Sequence, residues 1–308
     1  MNLLICKLGA TGDVVRTSPL LRVWDGDVTW ITAAKNTILL DGVLPNCRCL
    51  SWEEREKARD RRYDLVINLE DTDDVASFAS KTEYGRLFGA YLRLNGTVSY
   101  TDDAKDWFDL SLISSYGKEC ADGLKLQNRR SYQELIFSGL GLTFKGQAYI
   151  LPNVQNTELT GDVVIAPAAG PVWPMKNWAY YAELKIALEA QGLVVNILPQ
   201  RKTLLEHMGD IQGHRVLVGG DSLPMHLALG LGVRCVSLFT CTSPWEIFDY
   251  GLQTKMISPL LARYFYQRGY ESEATTAIPL ADVFEAVVSA VEKAKDRTAV
   301  LSPQTVQP

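Results

Sequence analysis

Short apolar and β-branched runs alternate with longer amphipathic stretches along the 308-residue chain, the pattern of parallel α/β units. In the first half, strands are expected over Leu3 to Cys6, Val28 to Thr32 and Leu65 to Asn68, with helical stretches at Val14 to Trp24 and Trp52 to Asp60. Arg129 to Leu140 reads as a helix that stops at Gly139 and Gly141. The segment LPNVQNTELTG, residues 151 to 161, is polar and aperiodic and reads as a linker. The alternation then restarts. Strands are expected over Val163 to Ala166, Val194 to Leu198, Arg215 to Val218 and Cys235 to Phe239, separated by helices at Tyr180 to Ala190, Thr203 to Met208 and Pro224 to Leu231. A helix over Leu280 to Lys293 closes the chain, and residues 296–308 read as a disordered tail. This order predicts an α/β protein of two facing Rossmann-like domains with parallel sheets and a cleft between them, residues 1–152 and 153–295.

Composition narrows the function classes. With 47% hydrophobic and 22% charged residues the chain is a globular one, and a formal charge of -5 gives no basic excess for a general nucleic-acid binder. No apolar run reaches the roughly 20 residues needed to span a bilayer, so a cytoplasmic protein is expected, with peripheral membrane contact the most a membrane would see of it. Six cysteines fit reduced thiols. Cys47 and Cys49 lack the second pair or nearby histidine of a four-ligand zinc set.

KLGATGDVVR, residues 7–16, has the strand, glycine turn and helix order of a phosphate-binding unit. Two features oppose a dinucleotide site. Val15 stands where that fingerprint wants a third small residue, and the second strand ends Thr32-Ala33-Ala34-Lys35, without the acidic side chain that binds a ribose hydroxyl. What the loop offers is Asp13, near the carboxyl end of the first strand, where open α/β sheets place their chemistry.

The second half has three strand-end turns suited to anions or hydroxyls. Asp221 and Ser222 follow Gly219-Gly220 and precede a helix, either as a plain N-cap or as a ligand site at the helix start. Thr240 to Pro244 reads as a second turn before a helix. APAAGPVWPMKNW, residues 166–178, places Lys176 where it could neutralise a diphosphate leaving group.

The ordered set KLGATGDVVRTSPLL, WPMKNW, GGDSLPMHLALGLGVRCVSLF and TSP resembles the heptosyltransferases of glycosyltransferase family 9, which add heptose to the lipopolysaccharide inner core. The resemblance implies a GT-B fold and an inverting transfer in which a sugar, heptose, moves from a nucleotide-diphosphate sugar, ADP-heptose, to an acceptor hydroxyl. It further implies Asp13 as general base and Lys176, Asp221, Ser222, Thr242 and Ser243 on the donor. Lys7, Thr11 and Gly12 fall on the acceptor side, in the N-terminal domain. The acceptor is a glycan, a lipid-linked molecule or another hydroxyl. No cofactor or metal is implied, and Asp25-Gly26-Asp27 and Asp71-Thr72-Asp73 read as polar turns or loops. His226 matches the motif and reads as core, inside an apolar helix.

The chain departs from the family pattern at Leu223, where glycine is usual, at Thr240-Cys241, where Gly-Pro is usual, and after Leu198, where Gln200 or Glu206 stands in for a glutamate near the ribose. Two alternatives remain at this point: a catalytically decayed nucleotide-sugar-binding module, and an NAD(P)-dependent epimerase or dehydrogenase.

Overall fold

A computed structural model describes the backbone of residues 1–301 and the side chains of residues 1–295. The chain forms two compact units, Met1–Pro152 with Trp245–Phe248, and Asn153–Pro244 with Asp249 onward.

The first unit carries strands β1 (Asn2–Cys6), β2 (Asp27–Thr32), β3 (Cys47–Ser51), β4 (Tyr63–Asn68), β5 (Tyr84–Leu92) and β6 (Val98–Tyr100). Its helices are α1 (Thr11–Thr17), α2 (Asp73–Lys81), α3 (Lys105–Phe108), α4 (Lys118–Gln127) and α5 (Tyr132–Gly139). The sheet order is β3-β2-β1-β4-β5-β6, parallel except for the antiparallel edge strand β6. The central strands are apolar along their length because helices cover the sheet. Leu4, Cys6, Ile31 and Val66 pack with Val75 and Phe78 of α2 in one core cluster. Helix α5 starts on a capping box, Ser131 with Glu134. The expected helix over Val14 to Trp24 is shorter: α1 gives way to a 3-10 turn at Ser18–Arg22, where Pro19 removes a donor. Trp52–Asp60 is likewise a 3-10 segment.

The second unit carries β7 (Gly161–Ala166), α6 (Tyr181–Ala190), β8 (Val195–Ile197), α7 (Leu204–Gln212), β9 (His214–Gly220), α8 (Leu223–Gly230), β10 (Arg234–Phe239), β11 (Gln253–Ile257), α9 (Leu261–Tyr264), α10 (Ser272–Thr276) and α11 (Leu280–Leu301). Its five strands are parallel in the order β11-β10-β9-β7-β8. Val163, Ile165, Val216, Val218 and Val236 pack against Leu184 and Leu188 of α6 and Val283 and Val287 of α11. Trp178 joins this core, 3% exposed, with its indole N-H donating to the Ile278 carbonyl at 2.9 Å. The backbone of α11 extends through residues 296–301; the rest of the expected disordered tail, 302–308, lies outside the described residues.

The expected linker is pinned to the second unit. Gln155 N-H donates to the Leu205 carbonyl at 3.2 Å, and Thr157 Oγ1 donates to Asp210 Oδ1 at 2.6 Å.

Candidate active site

In each sheet the strand order reverses once beside the first strand of the unit, between β1 and β4 and between β7 and β9. Ligands of open α/β sheets bind beyond the carboxyl ends of the strands at such switch points, because the two loops there diverge. Most of the candidate residues fall at these two places; Gln200 lies beyond the edge strand β8.

At the first switch point the loops after β1 and β4 meet. Lys7 Nζ donates to Glu70 Oε1 at 2.7 Å and lies 3.8 Å from Asp13 Oδ2. Burial opposes the charged ammonium, but the Asp13 and Glu70 carboxylates outweigh it and raise the Lys7 pKa above its ordinary value. Glu70 also accepts the backbone N-H groups of Leu8 and Gly9, at 2.8 and 3.2 Å. The first two amides of the loop after Lys7 therefore hold a protein carboxylate. Glu70 is set in turn by Asn68, whose Oδ1 accepts the Glu70 N-H at 3.1 Å.

Asp13 lies in the first turn of α1, its Oδ1 3.0 Å from Arg16 Nε. Thr11 Oγ1 donates to Asn36 Oδ1 at 2.8 Å, and Asn36 returns to the Leu8 carbonyl at 2.6 Å, so Thr11 braces the loop. Gly12 is buried. Neither Gly9 nor Gly12 has a left-handed φ, so the turn does not depend on that conformation.

At the second switch point Lys176, after β7, meets Asp221, after β9. Lys176 Nζ lies 2.9 Å from Asp221 Oδ2 and donates to the Asp221 carbonyl at 2.7 Å. Thr242 Oγ1 donates to the same Oδ2 at 2.8 Å, and His226 Nε2 lies 4.0 Å from Oδ1. Burial pushes the Asp221 carboxyl up, but Lys176, His226 and the two hydrogen bonds prevail and hold it well below the usual carboxylate range. The close approach favours glycine: a Cβ on Gly220 would stand 3.0 Å from the Lys176 carbonyl oxygen, and one on Gly219 3.0 Å from that of Ala166, tight contacts that the neighbouring backbone would have to yield to. Thr240 Oγ1 adds a buried bond to the Met175 carbonyl at 2.6 Å.

Lys176 closes a 3-10 turn, Pro174–Lys176, and the next helix starts at Tyr181. Two local expectations are corrected here. Thr240 to Pro244 precedes no helix; turns follow it until β11, so Thr242 and Ser243 do not sit at a helix start. Both are buried, and Ser243 Oγ has no hydrogen-bond partner among the described residues. Ser222 is the N-cap residue of α8 but makes no side-chain cap; its hydroxyl donates back to the Gly220 carbonyl at 3.3 Å. Of the two ribose candidates, Glu206 is engaged in a capping box with Thr203, whereas Gln200 is exposed beyond the end of β8. His226 is buried at 5% exposure.

Glu70, Arg16 and Glu246 escape sequence reasoning. Glu70 alone has a local signal, an acid two residues past a buried strand. An apolar cavity of about 190 Å³ is lined by Leu3, Leu20, Trp24, Leu65 and Leu140 among others, and neither Lys7 nor Asp13 lines it. Among the described residues no group of three or more His, Cys, Asp or Glu is arranged to hold a metal ion, and no helix is long and apolar enough to cross a membrane.

Residues 180–263 match the family model of glycosyltransferase family 9 (heptosyltransferase). The resemblance to family 9 is borne out. The matched segment contains Gln200, Asp221, Ser222, Thr242 and Ser243, and it supports a glycosyltransferase. No curated protein matches the sequence. Among solved structures, a family 9 glycosyl transferase from Veillonella parvula is similar at a TM-score of 0.66 and 14% identity, over 95% of this chain and 97% of that one. E. coli heptosyltransferase WaaC with ADP-2-deoxy-2-fluoro heptose gives 0.60 and 15%, over 94% and 99%. The iron-containing dodecameric glycosyltransferase TibC from enterotoxigenic E. coli gives 0.60 and 13%, over 96% and 79%. At such identities the likeness establishes the fold, and the family 9-like chain has the GT-B fold.

Proposed function

We propose that the chain is an inverting, metal-independent glycosyltransferase that moves heptose from ADP-heptose to an acceptor hydroxyl, with Asp13 as general base. The acceptor is a glycan, a lipid-linked molecule or another hydroxyl compound, bound on residues 1–152, and the donor is bound on residues 153–295. The observation that carries this reading is the occupation of both switch points: a carboxylate between two cations at one, and a lysine with hydroxyls at the other.

In this reading Asp13 takes the proton of the acceptor hydroxyl as its oxygen attacks the anomeric carbon, and the bond to the diphosphate breaks on the opposite face. Lys176 meets the negative charge that develops on the leaving group. The uncapped start of α8 at Ser222 and the unpartnered Ser243 hydroxyl offer further donors to phosphate oxygens, and Asp221 accepts from sugar hydroxyls. Gln200, exposed beyond the end of β8, reads the ribose in this reading. Lys7, Thr11 and Gly12 shape the acceptor side. The cationic side chain and the amides serve the diphosphate without a metal. The WaaC structure carries an ADP-sugar analogue, which supports an ADP donor. Six cysteines without a disulfide support a cytoplasmic setting.

The test is a thermal-shift series with ADP-heptose, ADP, other nucleotide sugars and NAD(P), each with and without chelator, followed by ADP release from ADP-heptose in Asp13→Ala. A donor at 100 times its Kd stabilises the fold by about 2.7 kcal/mol. Stabilisation by ADP compounds that chelator leaves unchanged, with activity lost in Asp13→Ala, is the expected result. Full activity in that variant refutes the base, stabilisation by NAD(P) alone refutes the donor, and ADP-heptose binding with neither transfer nor hydrolysis indicates a decayed module.

A further inference from the structure

Asp13 belongs to a larger charge network, all of it within the first unit. Arg16, whose Nε lies 3.0 Å from Asp13 Oδ1, also places Nη1 3.6 Å from Glu246 Oε2. Lys125 of α4 approaches the other oxygen of Glu246, again at 3.6 Å. Arg16 lies over the Tyr132 ring of α5, 4.2 Å from its centroid, and both Arg16 and Lys125 face Trp107, at 5.7 and 5.8 Å. With Lys7 and Glu70 the network holds three cations and three carboxylates. Five of the six side chains are 5 to 14% exposed; Asp13, at 32%, is the one that solvent or a substrate reaches.

Glu246 comes from far away in sequence, between β10 and β11, yet Trp245–Phe248 packs with the first unit. Its carbonyl accepts the Tyr132 N-H at 3.0 Å, Phe248 meets Phe144 edge-on at 5.0 Å, and Arg129 covers Trp245 at 3.7 Å. The segment is anchored at three points around a nearly buried carboxylate.

Two cations beside Asp13 favour its ionised form and, by the same attraction, weaken it as a proton acceptor. Glu70 offsets Lys7, and Glu246 offsets Arg16. We propose that Glu246 is a positioning residue: by holding and partly neutralising Arg16, it keeps Asp13 oriented and basic enough to accept a proton. This deepens the reading of Asp13 as general base and rests on it. The groups that face this carboxylate include, among the described residues, Lys7 with Glu70 behind it, Arg16 on α1, Tyr132 on α5, and Lys125 and Glu246 behind Arg16.

The proposal predicts shifts of opposite sign. In Glu246→Gln, Arg16 loses its counter-charge and acts more strongly on Asp13, so the Asp13 titration midpoint falls. In Arg16→Gln the midpoint rises. The midpoint is read from the carboxyl 13C signal of the full-length protein, assigned by its loss in Asp13→Asn, and each shift is expected to be about one pH unit for charges a few ångströms apart. An unmoved midpoint in Glu246→Gln, or shifts of the same sign in the two variants, overturns the proposal. If Glu246→Gln does not fold, Lys125→Met, which withdraws a cation from the same cluster, is expected to raise the midpoint, and no rise there overturns it. ADP release from ADP-heptose is followed in parallel. Opposite shifts accompanied by a lower kcat in Glu246→Gln support both the proposal and the base. Opposite shifts in a protein whose wild type releases no ADP support the charge coupling while removing the transferase reading.

Discussion

Lys176 and Asp221 neutralise each other: the ammonium lies 2.9 Å from one carboxylate oxygen, and the two side chains are only 12 and 16% exposed. In the proposed reading, a diphosphate arriving at this site meets a lysine already committed to a carboxylate. Removing either partner leaves a buried charge uncompensated, which costs about 3–5 kcal/mol. Lys176→Met and Asp221→Asn are each expected to destabilise the protein by that amount, and the double variant by much less than the sum. Chemical denaturation of the four proteins measures the coupling, and additive losses would show that the pair is not a unit.

The same aspartate makes stability depend on acid. Its folded pKa is depressed, below the unfolded value near 4. The stabilisation it brings is therefore complete above that unfolded value and is lost as pH falls toward the folded one. Asp210, held by Arg201 at 2.6 Å, and Asp162 are lowered as well, so the wild type is expected to lose stability steadily below pH 4. Asp221→Asn, less stable at pH 7, should show a shallower loss. Melting temperatures from pH 7 to pH 3 test this, and parallel curves for the two proteins would refute it.

The two halves and most of their strands are legible because buried parallel strands such as Leu3 to Cys6 and Val163 to Ala166 are continuous apolar runs. β3 and β5 are not. Cys47–Ser51 reads CRCLS, with arginine in its middle, and Tyr84–Leu92 is interrupted by Gly85 and Gly89. Pairing with a neighbouring strand makes them strands, and that pairing is set by the rest of the sheet. The site divides in the same way. Asp13, Lys176 and Asp221 stand in the segments that follow β1, β7 and β9, where local pattern points to them. Glu70 and Glu246 act through partners 63 and 230 residues away, Lys7 and Arg16, and no periodicity links such pairs.

Glycine at position 89 is dictated by geometry. Its φ is +105°, and a Cβ there would stand 2.0 Å from the Asn68 carbonyl oxygen. Asn68 orients Glu70, so a displaced Asn68 reaches the loop that carries Asp13. Gly89→Ala combines left-handed strain with a backbone clash and is expected to destabilise the first unit by roughly 2–4 kcal/mol. Gly42→Ala, also left-handed at φ +67° but with open space around the added carbon, should cost clearly less. Equal losses in melting temperature would assign the whole effect to φ.

Glu70 plays two roles that different substitutions separate. Its Oε1 accepts from Lys7 Nζ and from the N-H groups of Leu8 and Gly9. Glu70→Gln keeps an oxygen for the amides but removes the charge that Lys7 needs; Glu70→Ala removes both. If the carboxylate mainly satisfies the loop, Gln should restore most of the stability lost in Ala, since each unpaired buried donor costs about 1–3 kcal/mol. If it mainly offsets Lys7, Gln and Ala should be similarly unstable, because a buried ammonium keeps only Asp13 as a counter-charge. The geometry favours the second outcome: Lys7 is 7% exposed, and its link to Asp13 is 3.8 Å against 2.7 Å to Glu70. Comparing melting temperatures of the two variants decides between them, and near-complete rescue by Gln would assign Glu70 to the loop.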